Sequence, residues 1–215
     1  MAEWRTRTTL SLPVGSKALG EVEGDGAGSS SSKKRKHVDE DGGGDGGKES
    51  EAKSEMDWVV YPGLFAGGGL DVMSAVLLRA MPARLQSPRT SSGISVLDFC
   101  SGSGTLAAAV RLRSPSAALT LLDADAVALT AARENLGGGG GGGNGAAAPP
   151  CTFVLSDGWA GLAAGETFDL IVSNPPVHLG LQPEFTVLSS LVAGCKARLN
   201  PGGTCWLVAQ RYVPV

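Results

Sequence analysis

The hydrophobic positions of this chain fall into short runs separated by stretches of helical spacing. Ile94 to Phe99 (ISVLDF), Ala118 to Leu122 (ALTLL), Cys151 to Leu155 (CTFVL), Phe168 to Ser173 (FDLIVS) and Thr204 to Ala209 (TCWLVA) are apolar on successive positions. Each predicts a strand covered on both faces, because a strand with one wet face would alternate. Between them, Ser103 to Leu112, Asp125 to Leu136 and Phe185 to Leu199 carry helical spacing. Asp125 is placed to cap the second of these, and Asn200-Pro201-Gly202-Gly203 to close the third. Strands alternating with helices predict an α/β fold, a doubly wound parallel sheet. Such sheets bind ligands beyond the carboxyl ends of their strands, so those ends are where chemistry is sought.

Composition sets the domain limits. The stretch from Gly20 to Met56 is Gly, Ser and charge with almost nothing apolar. It buries too little to offset its ordering entropy, which predicts a mostly disordered region over 1–56 and one domain over 57–215. Gly137 to Gly145 (GGGGGGGNG), followed by AAAPP, predicts a disordered insertion over 137–150. The formal net charge of −3 gives no global basic field, so a nucleic-acid substrate would need a local patch. The four cysteines share no CxxC spacing, which predicts no metal site and a reduced, intracellular chain. No apolar run approaches the roughly 18 residues of a membrane span. Lys33-Lys34-Arg35-Lys36 reads either as a nuclear address or as a phosphate patch. Nucleus or cytoplasm is expected, with plastid and mitochondrion left open by the arginines and hydroxyl residues of the amino terminus.

Four strand ends carry candidate chemistry. The first runs into VLDFCSGSGTLA, where Gly102 and Gly104 allow either a tight turn or a loop against a cofactor. With Ala107 they also satisfy a loose GxGxxA fingerprint, which does not separate a nicotinamide enzyme from a methyltransferase. The second ends at Asp123, about 20 residues beyond the glycines, as a ribose-binding carboxylate would be. Asp125 reads as a helix start. The third ends in SDGW, where spacing favours Asp157 as a cap of the following turn. The fourth ends in Asn174-Pro175-Pro176-Val177. The prolines stop the strand and stiffen the loop, so that the Asn174 side-chain oxygen and the Pro175 carbonyl can converge on one amino group.

Taken together, YPGLFAGGGLDVMSAVLL, VLDFCSGSGTLAAA, LLDADAVALTAARENL and LIVSNPPVHLG resemble the motifs of class I S-adenosylmethionine-dependent methyltransferases. More narrowly they resemble the "methyltransferase small" domain found in the bacterial guanine-N2 methyltransferase of small-subunit ribosomal RNA. The resemblance implies S-adenosylmethionine as cofactor, an RNA substrate and no metal. It implies Asp98, Cys100, Gly102 and Gly104 around the methionine end, Asp123 at the ribose and Asp157 at the adenine. Asn174, Pro175, Pro176 and Val177 form the implied catalytic loop, with Asn174 also beside the cofactor. The implied reaction is transfer of a methyl group to an exocyclic base amine, guanine N2 of ribosomal RNA.

The chain departs from the family pattern at three places. Cys100 stands where the family has Gly, and its Cβ calls for an ordinary φ. Val177 replaces the aromatic that stacks on the substrate base. The family pattern continues past the fifth strand, so the sheet is expected to be truncated there. Its edge would then be covered by a partner or a missing segment. His178 reads as a solvated loop residue rather than a base. The alternatives that remain are amino-methyl transfer to protein glutamine or DNA adenine, a nicotinamide-dependent oxidoreductase, and an inactive S-adenosylmethionine-binding module.

Overall fold

The computed structural model describes residues 4–13, 53–68, 70–91, 93–137, 149–179, 182–183 and 185–209. Five strands form one parallel sheet: β3 (Ser95–Phe99), β4 (Ala118–Asp123), β5 (Cys151–Leu155), β6 (Phe168–Ser173) and β9 (Leu199–Leu207). Their order across the sheet is β5-β4-β3-β6-β9. The doubly wound α/β expectation therefore holds. β3 lies at the centre with β4 on one side and β6 on the other. That is the switch point, where the chain departs in opposite directions from adjacent strands.

Alternation within the central strands divides the core in two. Val96, Leu119, Leu121, Leu170 and Val172 face a layer built from α1 (Val72–Ala80), α2 (Thr105–Arg113) and α3 (Ala126–Leu136). Leu97, Phe99, Leu122 and Ile171 face the opposite way, onto Leu191 and Cys195 of α4 (Thr186–Arg198). β6 is buried at all six positions, as a strand covered on both faces must be. In α2, Ala107, Ala108 and Ala109 let the helix axis approach the sheet closely, and all three are buried. The thiols of Cys195 and Cys205, far from any CxxC spacing, meet with sulfurs 3.1 Å apart between α4 and β9.

Three boundaries differ from the sequence reading. The largest concerns the amino-terminal region expected to be disordered up to Met56. Thr6–Pro13 (β1) and Lys53–Val60 (β2) pair antiparallel, from Thr6 opposite Val60 to Pro13 opposite Lys53. Leu10 and Leu12 of β1, with Trp58 and Val60 of β2, all lie in the core cluster. The domain thus takes in residues on both sides of the glycine- and charge-rich stretch, of which 20–52 lies outside the described residues, as does 138–148 of the expected insertion. The physical reason is that β1 and β2 each bring only part of an apolar face, and the face exists only when they pair. Second, Asn200 to Gly203 does not simply close α4. Pairing with β6 begins at Leu199 and resumes at Thr204 opposite Leu170, so Asn200-Pro201-Gly202-Gly203 forms an irregularity within β9. Third, a two-residue pair, His178–Leu179 (β7) with Gln182–Pro183 (β8), follows the prolines.

The hairpin is fastened to α3 chiefly through Asn135, with Glu134 beside it. Asn135 accepts the Val59 N–H at its Oδ1 (2.7 Å) and donates from Nδ2 to the Val59 carbonyl (3.0 Å) and the Ser103 carbonyl (3.2 Å). Tyr61 donates its hydroxyl to Glu134, which also pairs with Arg5 at 2.8 Å. Trp58 Nε1 reaches Ser103 Oγ at 3.3 Å. Hairpin, α3 and the glycine loop after β3 are therefore one connected body.

At the amino ends of β3 and β6, burial alone would raise the Asp169 carboxyl. Hydrogen bonds from the Ser95 N–H (3.1 Å), Asn200 Nδ2 (2.8 Å) and neighbouring hydroxyls instead hold it below the usual carboxylate value. With Arg89 at 3.3 Å it ties the β3–β6–β9 strands together on the side opposite the candidate site.

Because Leu10 is fully buried, Leu10→Ala should lower unfolding stability by about 2–5 kcal/mol in urea denaturation. An unchanged midpoint would mean that β1 is a solvated tail.

Candidate functional site

Above the carboxyl ends of β3, β4, β5 and β6 lies a cleft of about 650 Å³, a size that suits a cofactor-sized ligand. The strand ends and α1 supply its walls. The β3 end turns sharply, with Cys100, Gly102 and Gly104 all in left-handed conformation at φ 62°, 55° and 92°. Cys100 does not take the ordinary φ expected of a residue with a Cβ. Holding it there costs about 1–2 kcal/mol of backbone strain. Burial, and then the negative charges of Asp123, Asp98 and Asp157, push its thiol up to about 12, which leaves it protonated and unreactive.

The loop is pinned from two directions. The Gly102 N–H donates to Asp123 Oδ2 at 2.7 Å, and the Asp125 N–H to Asp123 Oδ1 at 2.9 Å. Asp123 therefore couples the ends of β3 and β4. Burial raises its carboxyl above the ordinary value, and these N–H donors oppose that rise. From below, Asp98 Oδ2 accepts the Ala107 N–H of α2 at 2.9 Å. Asp98 is 1% exposed and sits beneath the loop rather than in the cleft wall. Its Oδ1 has no hydrogen-bond partner. Burial, reinforced by the Asp123 charge and opposed by the Ala107 N–H, pushes Asp98 up to about 8. Gly104 is the N-cap of α2, where an added Cβ would lie 2.9 Å from Leu136 Cδ1 and 3.2 Å from Leu121 Cδ2.

Asp157 opens the turn from Gly158 to Gly161, the position that spacing assigned to a cap, yet its side chain makes no cap hydrogen bond. Ser156 does that job: its Oγ accepts the Gly161 N–H and donates to the Gly158 carbonyl, each at 2.8 Å. The Asp157 carboxylate is left in the cleft wall. Asp125, read as a helix start, does cap α3 by accepting the Val127 N–H at 2.7 Å.

At the β6 end, Asn174 is half-buried, Pro175 buried, Pro176 exposed and Val177 half-buried, and all four line the cleft. Asn174 Nδ2 donates to Asp71 Oδ2 at 2.9 Å and to Ser74 Oγ at 3.1 Å. Asp71 is the N-cap of α1 and accepts the Met73 and Ser74 N–H groups through the same Oδ2. Sequence reasoning gave Asp71 no site role beyond its place in the YPGLFAGGGLDVMSAVLL motif and gave Ser74 none, although Asp71 before an apolar helical stretch is an N-cap signal. The side chain of His178 lies outside the described residues.

Of the ten residues expected at the site, the cleft gathers Cys100, Gly102, Asp123, Asp157, Asn174, Pro175, Pro176 and Val177, while Asp98 and Gly104 support it from outside. Its charged lining residues among those described are Asp71, Asp123, Asp125 and Asp157, with no Lys, Arg or His. A site so lined favours a cation over a pyrophosphate, which weighs against a nicotinamide dinucleotide. A sulfonium cofactor with an α-amino group fits that field. The buried Ser101 Oγ, which has no partner and sits in the loop lining the cleft, is a polar group such a ligand can satisfy. Among the described residues, no cluster of three or more His, Cys, Asp or Glu could hold a metal ion. No described helix is long and apolar enough to cross a membrane.

Comparison with known proteins gives the chain a family. Residues 55–215 match the family described as methyltransferase small domain. The ribosomal RNA small subunit methyltransferase C of Klebsiella pneumoniae is 37% identical over 156 residues, which are 71% of this chain and 40% of that protein. Its counterpart in Serratia proteamaculans is 31% identical over 166 residues, 77% of this chain and 43% of the relative. The chain thus spans about two fifths of the length of these relatives. Among solved structures, a T. thermophilus 16S rRNA N2 guanine methyltransferase in complex with AdoMet and guanosine superposes with a TM-score of 0.61 at 28% identity. That superposition covers 74% of this chain and 40% of the other.

Asp98 gives a pH dependence of stability. Its folded value of about 8 lies above the unfolded value of about 4, so the folded state holds a proton that unfolding releases between them. Its contribution is fully present below about pH 4 and is lost as pH rises towards about pH 8. Asp98→Asn cannot titrate, so its melting temperature should rise relative to the native chain from about pH 5 to about pH 8. A difference constant across that range would show that Asp98 does not titrate there.

Proposed function

The chain belongs to the methyltransferase small domain family, and from that premise we propose that it moves a methyl group from S-adenosylmethionine to an exocyclic amine of a base in RNA. Guanine N2 of small-subunit ribosomal RNA is the acceptor the reading favours, since the curated relatives are named for small-subunit ribosomal RNA and the solved structure that superposes is named for N2 of a 16S rRNA guanine. The observation that carries the proposal is the convergence of a cleft that is acidic among the described residues with the Asn174-Pro175-Pro176 loop at one switch point.

When bound, S-adenosylmethionine supplies an electrophilic methyl group on a sulfonium, which leaves as a neutral thioether. The chain's own residues do the rest by orientation. Asp123 keeps lone pairs free beyond its bonds to backbone N–H groups, and these accept ribose hydroxyls. Asp157, free of capping duty, accepts from the adenine amino group. The loop from Cys100 to Gly104 and the start of α2 shape the methionine end. Asn174 Oδ1 and the Pro175 carbonyl accept the two hydrogens of the target amine and turn its lone pair towards the methyl group. As the nitrogen–carbon bond forms and the sulfur–carbon bond breaks, both acceptors stabilise the positive charge growing on nitrogen. The surplus proton then passes to water, and a guanine amine needs no strong base before attack. At the mouth, Val177 offers contact without stacking. Phe65, 71% exposed on the cleft rim, presents the aromatic face that Val177 lacks.

With methyl-labelled S-adenosylmethionine and separate RNA, DNA and protein pools, label should enter RNA and be recovered as a base-methylated guanosine. Label confined to protein would overturn the RNA assignment. Asn174→Ala should reduce transfer by roughly 100-fold or more and leave S-adenosylhomocysteine affinity near native. Asp123→Ala should do the reverse and weaken that affinity by roughly 10-fold or more in calorimetry. Equal losses of both properties in either variant would contradict the division of roles.

A further inference from the structure

An asparagine amide is nearly symmetric in shape and can present either its oxygen or its NH2 group after half a turn about its last bond. In this cleft the turn is blocked. The Asn174 Nδ2 group is shared between Asp71 Oδ2 at 2.9 Å and Ser74 Oγ at 3.1 Å. Rotating the amide would set Asn174 Oδ1 against a carboxylate oxygen, which has no hydrogen to give. Asp71 is itself fixed, because the same oxygen holds the Met73 and Ser74 N–H groups at 2.9 and 3.0 Å. Ser74 is 4% exposed and has little room to move. A donor hydrogen-bonded to a carboxylate is polarised, and that strengthens the acceptor at the other end of the amide.

We propose that Asp71 and Ser74 are positioning residues that lock Asn174 as an acceptor-only group, and that this lock selects a target atom carrying hydrogens. An exocyclic amine satisfies Asn174 Oδ1. A keto oxygen or an unprotonated ring nitrogen opposes it, acceptor to acceptor, and is turned away. The selectivity rests on the methyltransferase reading. The lock itself does not, and it can be read without any acceptor molecule.

Two variants separate the lock from folding. Asp71→Asn keeps an oxygen for the α1 cap, since Asn caps as well as Asp, but removes the charge. Ser74→Ala leaves the cap untouched. In protein with isotope-labelled asparagine, the Asn174 side-chain hydrogens should exchange with solvent roughly 10-fold faster in Ser74→Ala than in the native chain, in line with one lost hydrogen bond, and also faster in Asp71→Asn, whose neutral oxygen is a weaker acceptor. Equal exchange in all three overturns the lock, whether or not methyl transfer is seen. With labelled S-adenosylmethionine and small-subunit ribosomal RNA, kcat should fall about 5-fold in Ser74→Ala and about 10-fold in Asp71→Asn, with melting temperature and S-adenosylhomocysteine affinity unchanged.

Asn174→Asp sets two carboxylates against each other and should lose roughly 100-fold in kcat, of which adding Asp71→Asn should restore about 10-fold by removing the charge repulsion within the pair. No recovery in the double variant means that Asp71 does not act through residue 174. A methyl group found on a keto oxygen, or on a ring nitrogen that carries no hydrogen in the substrate, overturns the selectivity. No transfer by the native chain to any pool is failure of the methyltransferase reading, and the exchange measurement still decides the lock.

Discussion

The winding of the sheet reverses at β3, and the rest of the molecule follows from that reversal. β4 and β6 flank β3 but carry the chain away in opposite directions, so their connecting helices pack on different faces and leave a gap above the strand ends. Everything with chemistry faces that gap. The residues that line it come from strands that end there for different local reasons: glycines at β3, a carboxylate taking two backbone N–H groups at β4, a serine-stabilised turn at β5 and prolines at β6. The topology sets where a ligand can lie, and the strand ends set what kind it can be.

Much of this was legible because the central strands are apolar on both faces and stop abruptly. β5 and β6 begin and end where the pattern of apolar residues does. Asp123, Asp157 and Asn174 could be singled out because each follows such a strand. The hairpin was not legible. Lys53–Val60 opens with alternating charge, and its partner lies beyond a long polar stretch, so neither strand announces a buried face alone. The contact between Asp71 and Asn174 spans 103 residues and depends on how α1 packs over the sheet, which no local pattern encodes. The cap role that spacing alone favoured for Asp157 falls to Ser156 for a related reason: spacing cannot tell which of two neighbouring polar residues will turn inward to hold the turn.

Charge in the site is handled by position rather than by pairing. Asp98, buried beneath the loop, and Asp123, at its edge, both hold their protons more tightly than ordinary carboxyls. A cationic ligand settling above them relieves part of that tension. The fold therefore keeps an unfavourable concentration of carboxylates that a ligand of the right sign stabilises. Cys100 belongs to the same pattern. Its strained backbone is tolerated because the loop around it is pinned on both sides by hydrogen bonds.

The clamp between Asn135 and Val59 has a consequence away from the site. A two-stranded sheet leaves the outer backbone groups of each strand unpaired, and such a border invites a strand from another molecule. On β2, the Asn135 amide occupies both outward-facing groups of Val59, N–H and carbonyl alike, much as a neighbouring strand would. One side chain of α3 thus ends the sheet where it would otherwise be open to growth, and makes the hairpin a poor template for intermolecular pairing at that point.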